Sequence, residues 1–285
     1  MADNGAIPLA EGKTKIIYPY QGTHVLVVSK DDLTAGDGKK HDVIPGKGEW
    51  ATETTVNVFE LLKRHGLPLA YVKRHGSRGF IAEQCRMFPF EVVARRYAYG
   101  SILKRYPSLT KGARLESLIV EFYLKTSGRE FEGVKLPCDD PIVVEWKNRT
   151  IIVADPALST HEVRVGSDKK IPVTFNVVGP MSYGLNTFFA VTRRNMELLF
   201  PVLEDAWKKQ EIRLADIKVE FGLTSTDAVV IADVIDNDSW RIVDTDGVHL
   251  DKQLYREGAP LEKVAKAYQE VARLTARFWE DETPF

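Results

Sequence analysis

The sequence is poor in the residues that mark several specialised chemistries. It has only two cysteines, Cys85 and Cys138. They lie far apart and form no metal-ligand spacing, so a zinc framework or a disulfide scaffold is excluded; two reduced thiols fit a cytosolic chain. The six histidines, at 24, 41, 65, 75, 161 and 249, show no HxxxH spacing and take no metal role. No Gly-x-Ser-x-Gly occurs to mark a hydrolase nucleophile. No apolar run approaches the ~20 residues of a membrane span. The first ten residues lack a basic stretch leading into an apolar one, so no signal peptide is expected. Net charge is nearly absent too, formally −1. That removes whole-molecule attraction to nucleic acid or an anionic membrane, so an anionic ligand must be held by a local basic cluster. There is no internal repeat and no low-complexity segment. The cytosol is the default compartment, and the oligomeric state stays open, a homo-oligomer included.

What is there is an ordinary globular balance, 44% apolar and 28% charged over 285 residues, enough for one large domain or two lobes. The first third reads as strand-rich: Lys15–Tyr18 and His24–Ser29 are β-branched runs joined by a turn at Pro19-Tyr20-Gln21-Gly22. Val56, Phe59 and Leu62 recur at helical spacing within Glu49–His65, which Gly66 stops. Strands follow at Ala70–Arg74, Phe80–Met87 and Phe90–Tyr97, with the break at Phe88-Pro89 as the inter-lobe hinge. Residues 126–172 read as an excursion from the core, with strand-like runs at Ile142–Trp146 and Ile151–Ala154. A long helix is expected over Gly184–Trp207, kinked at Pro201. An antiparallel pair is expected at Ile217–Leu223 and Ala228–Val234, and a last helix at Leu261–Trp279. Sheets with segregated helices make this an α+β fold.

Four constellations carry polar groups suited to a site. Glu11-Gly12-Lys13-Thr14-Lys15 contains GKT, but a P-loop needs Gly five residues before Gly12, where Ile7 stands, and a following helix, where a strand is expected. It reads better as a glycine turn that aims backbone N–H and lysine groups at phosphates, although a solvated basic turn accounts for the same residues. Asp32–Gly38 is a small-residue loop in which Asp37 can accept from an amine; a plain Asp-Gly turn is the alternative. In Glu91–Tyr97, alternation puts Glu91, Val93, Arg95 and Tyr97 on one face. Gly100-Ser101 then opens a short helix whose N-terminus suits a phosphate. Arg95 in an ion pair and Ser101 as a helix cap are equally compatible. Last, Lys218 and Glu220 share one face of a strand, and Asp233 ends an apolar one. Two carboxylates beside a lysine suit Mg²⁺ bridging nucleotide phosphates, and a polar hairpin end is the alternative.

Taken in order, these motifs resemble the SAICAR synthetase (phosphoribosylaminoimidazole-succinocarboxamide synthase) family. The matching stretches are EGKTK (11–15), DDLTAGDG (31–38), MFPFEVVARRYAYGSILKR (87–105), VEFYLK (120–125), DDP (139–141), DIKVEFG (216–222), ADVIDNDSWR (232–241) and DKQLYR (251–256). The last-but-one is most similar to the animal-type branch, while the chain has no room for the carboxylase domain fused to it in animals, which makes it monofunctional by resemblance. The resemblance implies a smaller strand-rich N-terminal lobe, 1–88, and a larger C-terminal α/β lobe, 89–285, with an ATP cleft between them. It implies ligation of L-aspartate to carboxyaminoimidazole ribotide (CAIR) with ATP and Mg²⁺. Gly12, Lys13 and Lys15 would line the ATP phosphates, and Met87 to Phe90 would pass the adenine. Lys218, Glu220 and Asp233 would hold nucleotide and metal, with Glu91 at a second metal. Arg95, Ser101 and Arg241 would grip the ribotide phosphate. Asp37 and Asp238 would lie near the CAIR or aspartate sites, with Asp37, Lys218 and Asp238 as the catalytic set. Lys125 and Asp140 match the family's LK and DP positions on the substrate side. The stretch from Val143 to Pro172 matches nothing in the family's pattern. A small-molecule kinase with a related ATP cleft and a non-catalytic nucleotide-binding module are the rival readings.

Overall fold

The computed structural model describes residues 6–36, 39–126, 128–147, 149–158, 170–174 and 184–278. They form an α+β fold built on two antiparallel sheets. The first has five strands, ordered β1 (Ala10–Glu11), β2 (Lys15–Pro19), β3 (His24–Ser29), β7 (Gly79–Glu83) and β6 (Tyr71–His75). The β2–β3 hairpin turns at Gly22, whose φ of 63° suits a residue without Cβ. The short pair β4 (Asp32–Ala35) and β5 (Lys40–Val43) follows β3. Helix α1 (Lys47–Arg64) then packs its Ala51, Val58, Phe59 and Leu62 face inward. Two of its buried threonines bond other elements: Thr52 Oγ1 donates to Ser29 Oγ at 2.8 Å and Thr55 Oγ1 to the Ile235 carbonyl at 3.2 Å. Gly66, at φ 72°, follows its end.

The second sheet centres on β8 (Arg86–Tyr97), flanked by β9 (Arg114–Leu124) and β15 (Arg213–Leu223). The expected break at Phe88-Pro89 is absent, for β8 runs through it. The β8–β15 register slips between Glu220 and Gly222, so Pro89 falls where the ladder is interrupted and its missing N–H breaks nothing. Beyond β9, past a small hairpin of β10 (Glu130–Phe131) and β11 (Val134–Lys135), the sheet continues through β12 (Ile142–Lys147), β13 (Thr150–Ala154) and β14 (Lys170–Thr174). These strands lie in the stretch read as an excursion, but they extend the main sheet, and Val143, Ile151, Val153 and Val173 join the principal core. β16 (Val229–Ile231) pairs with β15 as expected, and β17 (Trp240–Val243) pairs with it further along.

Helix α3 (Leu185–Lys209) follows the short α2 (Ile102–Arg105) in chain order and runs unbroken through Pro201. Its Phe188 and Phe189 interlock with Phe88, Phe90, Phe122 and Trp146, ring centroids 4.2–5.4 Å apart, each buried ring contributing about 1.5–3 kcal/mol. The short α4 (Gln253–Arg256) and the helix α5 (Leu261–Thr275) close the chain, and α5 lies along α1. One continuous hydrophobic cluster runs from Val25 to Phe278 under both sheets. The sheets touch where Leu69 bridges Ile231 and where Gly222 passes Cys85. A Cβ on Gly222 would lie 2.6 Å from that of Cys85. No helix among the described residues is long and apolar enough to cross a membrane.

Candidate functional site

A cavity of about 490 Å³ opens where the β1–β2 turn of the first sheet faces β8 and β15 of the second. Gly12, Lys13 and Lys15 come from the turn. Glu91 comes from β8, Lys218 and Glu220 from β15, Lys125 from the end of β9, and Asp140, Asp233 and Asp238 from loops. Register explains the convergence. Glu91 sits opposite Glu220, and Lys218, two residues from Glu220, shares its face. A second cavity of similar size, lined by Tyr97, Glu204 and Arg213 among others, holds none of these groups.

The wall is a chain of alternating charges. Lys218 Nζ donates to Glu91 Oε1 at 3.0 Å and to Glu220 Oε1 at 3.1 Å. Lys125 Nζ donates to Glu220 Oε2 at 2.6 Å, and Lys15 Nζ to Asp233 Oδ1. Burial disfavours the Lys218 ammonium, but Glu91 and Glu220 overcome it and hold it above the usual lysine range. Burial likewise opposes the Glu220 carboxylate, and Lys218 and Lys125 bring it below the usual range. Lys15 goes the other way: burial lowers it to about 8, against the pull of Glu220. Asp238 accepts from Lys252 Nζ at 2.7 Å and from the Tyr268 hydroxyl.

A second cluster lies further along the same strands. Arg95 Nε donates to Glu121 at 2.8 Å, Nη1 to Asp216 at 3.1 Å and Nη2 to the Tyr123 hydroxyl at 3.3 Å. Arg241 Nη1 lies 2.9 and 2.7 Å from the two Asp216 oxygens, and Arg105 bonds Glu121 and the Pro156 carbonyl. Gly100, at φ 69°, lies against Arg241: a Cβ there would stand 3.0 Å from Nη2. Ser101 Oγ is 3.2 Å from the Tyr123 hydroxyl and does not cap α2. Two assignments change accordingly. Arg95 is only 5% exposed and spends its donors on Glu121, Asp216, the Tyr99 carbonyl and Tyr123, so it stands behind Arg241, joined to it through Asp216. Phe90, 1% exposed, packs on Phe188 and Phe189 and cannot touch an adenine, whereas Met87 is 42% exposed. Asp37 lies outside the described residues. Sequence reading missed Thr14, Thr34, Lys252 and Arg256 in the wall; the last two stood in the DKQLYR stretch, matched as a block with no residue assigned.

The donors suit a divalent cation. All are hard carboxylate oxygens, as Mg²⁺ prefers, and Glu220 and Asp233 are already oriented by ammonium groups a cation would displace. Among the described residues no three His, Cys, Asp or Glu side chains converge as a metal site. One or two carboxylates from Glu91, Glu220 and Asp233 would therefore hold the metal, with ligand oxygens and waters completing the shell, the usual Mg²⁺ arrangement.

An antiparallel α+β fold whose cavity ranges lysines against carboxylates beside a glycine-containing turn defines an enzyme that handles polyphosphate. The family model of SAICAR synthetase matches residues 8–134 and 184–275, and the chain belongs to that family. Phosphoribosylaminoimidazole-succinocarboxamide synthase of Roseiflexus castenholzii is 36% identical over 94% of this chain and 95% of its own length. The namesake from Chloroflexus aurantiacus is 37% identical over 95% and 96%. A SAICAR synthetase solved in complex with ADP superposes with a TM-score of 0.69 at 28% identity, covering 93% of this chain and 96% of that one. The matched ranges leave out 135–183, which contain β12–β14.

Proposed function

We propose that this chain is an ATP-dependent carbon–nitrogen ligase that joins L-aspartate to the carboxylate of CAIR, giving SAICAR, ADP and phosphate in purine biosynthesis in the cytosol. The observation that carries it is the meeting of the EGKTK turn, the Lys218–Glu220 strand and Asp233 in one cavity, in a chain matched by the family over both of its sheets.

A carboxylate is a poor acyl electrophile at neutral pH. Transfer of the ATP γ-phosphoryl to it gives an acyl phosphate, which the aspartate amine attacks, expelling phosphate. Lys13, Lys15 and Lys218 stabilise charge on the transferring phosphoryl, with Gly12 letting the backbone approach it. Carboxylates from among Glu91, Glu220 and Asp233 would hold Mg²⁺, which would supply further neutralisation of phosphate charge. Met87 flanks the adenine. Ser101 and Arg241 take the ribotide phosphate, with Arg95 behind them. Lys125 and Asp140 border the CAIR side, and Asp238 the amino acid. Asp37 or solvent accepts the amine proton. Residues 1–88 act as the N-terminal ATP-binding lobe and 89–285 as the substrate- and metal-binding lobe, a division supported by the cavity's drawing on both sheets.

The test is ADP release with ATP and Mg²⁺, adding CAIR and L-aspartate singly and together and identifying products by mass. A succinocarboxamide product only with both is expected. ADP with CAIR alone and a stable phosphorylated product would replace the ligase with a kinase. Labelled CAIR carboxylate oxygen must appear in the released phosphate, or the acyl-phosphate route is wrong.

A further inference from the structure

Behind the cavity wall sits a lysine that the reaction scheme does not use. Lys47 is the first residue of α1, preceded by Gly46 at φ 89°. The helix start is pressed onto β3: a Cβ on Gly48 would stand 2.8 Å from the Ser29 carbonyl oxygen. Lys47 is 1% exposed, and lysines are almost never fully buried unless paired. Its Nζ lies 5.2 Å over the centroid of the Tyr268 ring, the same tyrosine whose hydroxyl donates to Asp238. Asp236, also buried, accepts the Asp238 N–H at 2.9 Å. Asp238 and Lys252 belong to the cavity wall, while Asp236, Tyr268 and Lys47 stand behind it.

The cluster balances only as a foursome. Asp236 and Asp238 are two residues apart in a low-dielectric setting, where like charges push one carboxyl toward its neutral form. Lys252 grips Asp238 directly. Burial opposes ionisation of Asp238, and Lys47, ahead of Lys252 and Tyr268, pulls its carboxyl down to about 2. Burial and Asp238 raise Asp236, against Lys47. Around them, Asp251 also faces Tyr268, and His249 Nδ1 is 2.9 Å from Asp251 Oδ2.

We infer that Lys47 is a positioning residue for the ligase reaction: its buried ammonium, seated over the ring of the tyrosine that bonds Asp238, offsets the charge of the Asp236–Asp238 pair from behind and so holds Asp238 fixed at the cavity wall where the amino-acid substrate binds. The inference rests on the proposed function for the role of Asp238, but the charge arrangement itself does not.

The test compares the wild-type chain with Lys47→Met, which keeps the unbranched stem and removes the charge, and with Lys47→Met combined with Asp236→Asn, which removes one charge of each sign. Carboxyl-carbon NMR of the ligand-free full chain reads Asp238, and steady-state kinetics reads KM for aspartate against kcat. In Lys47→Met the Asp238 midpoint should rise by at least about one pH unit, a tenfold weaker hold on the anion, and KM for aspartate should rise severalfold with kcat changed less, because Asp238 loses its fixed position. Both should return toward wild type in the double variant. An unmoved midpoint in Lys47→Met, or no recovery in the double variant, overturns the inference. If Lys47→Met does not fold, a double variant that folds supports the inference, since losing the Asp236 charge rescues only a defect of charge; failure of both to fold overturns it. A shifted midpoint in a chain without synthetase activity would sink the proposed function and leave the charge assignment standing. Full activity with an unmoved midpoint would do the reverse.

Discussion

Strands β8, β9 and β15 carry two clusters of opposite charges, and the clusters are built from different cations. At one end lysines 218 and 125 meet Glu91 and Glu220, joined by Lys15 on Asp233. Further along, arginines 95, 105 and 241 meet Glu121 and Asp216. An ammonium is a compact point charge on a flexible stem, whereas a guanidinium is a planar fork that fixes geometry. The lysine pairs line a cavity, and each partner has a natural replacement, phosphate oxygens for the lysines and a cation for the carboxylates. Arg95 and Arg105 have none, because their partners are other protein groups held in a buried lattice; Arg241, more exposed at its edge, is the member that the proposed function gives to the ribotide phosphate. The same strands thus provide exchangeable charge in one place and scaffolding in another.

Substitutions in the two clusters should part along the same line. The largest effect expected is on stability. Glu121→Gln leaves Arg95 and Arg105 short of their shared carboxylate and should cost about 3–5 kcal/mol in urea unfolding; a loss under about 1 kcal/mol would put both clusters in one class. The pH dependence has a definite sign. Burial would raise the Glu121 carboxyl, but Arg95 and Arg105 hold it below the usual range. A depressed carboxyl stabilises above its unfolded pKa of about 4.3 and loses that contribution as pH falls through the folded value. The stability gap between wild type and Glu121→Gln should therefore be full at pH 6 and narrow below about pH 4.

Glu220→Gln is next. It removes the carboxylate shared by Lys218 and Lys125, and kcat/KM should fall about 100-fold, the scale for one preorganised electrostatic group. A drop confined to stability would make Glu220 scaffolding after all. Asp233→Asn frees Lys15 and should leave ligand-free stability within about 1 kcal/mol while abolishing the extra thermal stabilisation that Mg²⁺ adds to ADP; retention of that increment would remove Asp233 from the metal set. Smallest of all, Lys125→Ala breaks a pair whose lysine is well exposed. Its unfolding free energy should stay within about 0.5 kcal/mol of wild type, with the loss appearing in KM for CAIR.

Much of the fold was legible where periodicity is strong. The hairpin at residues 15–29, α1, most of α3 and the β15–β16 pair lie within a few residues of their expected places. The motifs were legible as a set because each brings its own residue types, and their meeting in one cavity follows from strand register. The failures have physical causes. Proline at 89 reads as a break, yet it falls in a bulge of β8, where the residues between Met87 and Glu91 stand against Phe221 alone, and the pairing that permits this is invisible locally. Alternation put Arg95 on a face with Glu91 but could not say that Glu121 and Asp216 cover it there. Lys47 follows a glycine at a helix start, where a lysine normally reads as solvated. Its partners come from residues 236–268, and no local pattern announces them. Residues 142–154 read as short strands from their β-branched runs, but nothing in those runs says that they extend the main sheet.

Among the described residues the cavity wall carries six cationic side chains, Lys13, Lys15, Lys125, Lys218, Lys252 and Arg256, against five carboxylates, Glu91, Asp140, Glu220, Asp233 and Asp238. Seen from a distance such a surface is almost neutral. A highly charged nucleotide approaching through solvent therefore meets little steering field until it is within about a Debye length, about 8 Å at physiological salt. Selection among anions is made at contact, by the exchange of partners, and the arrival rate should vary only weakly with ionic strength.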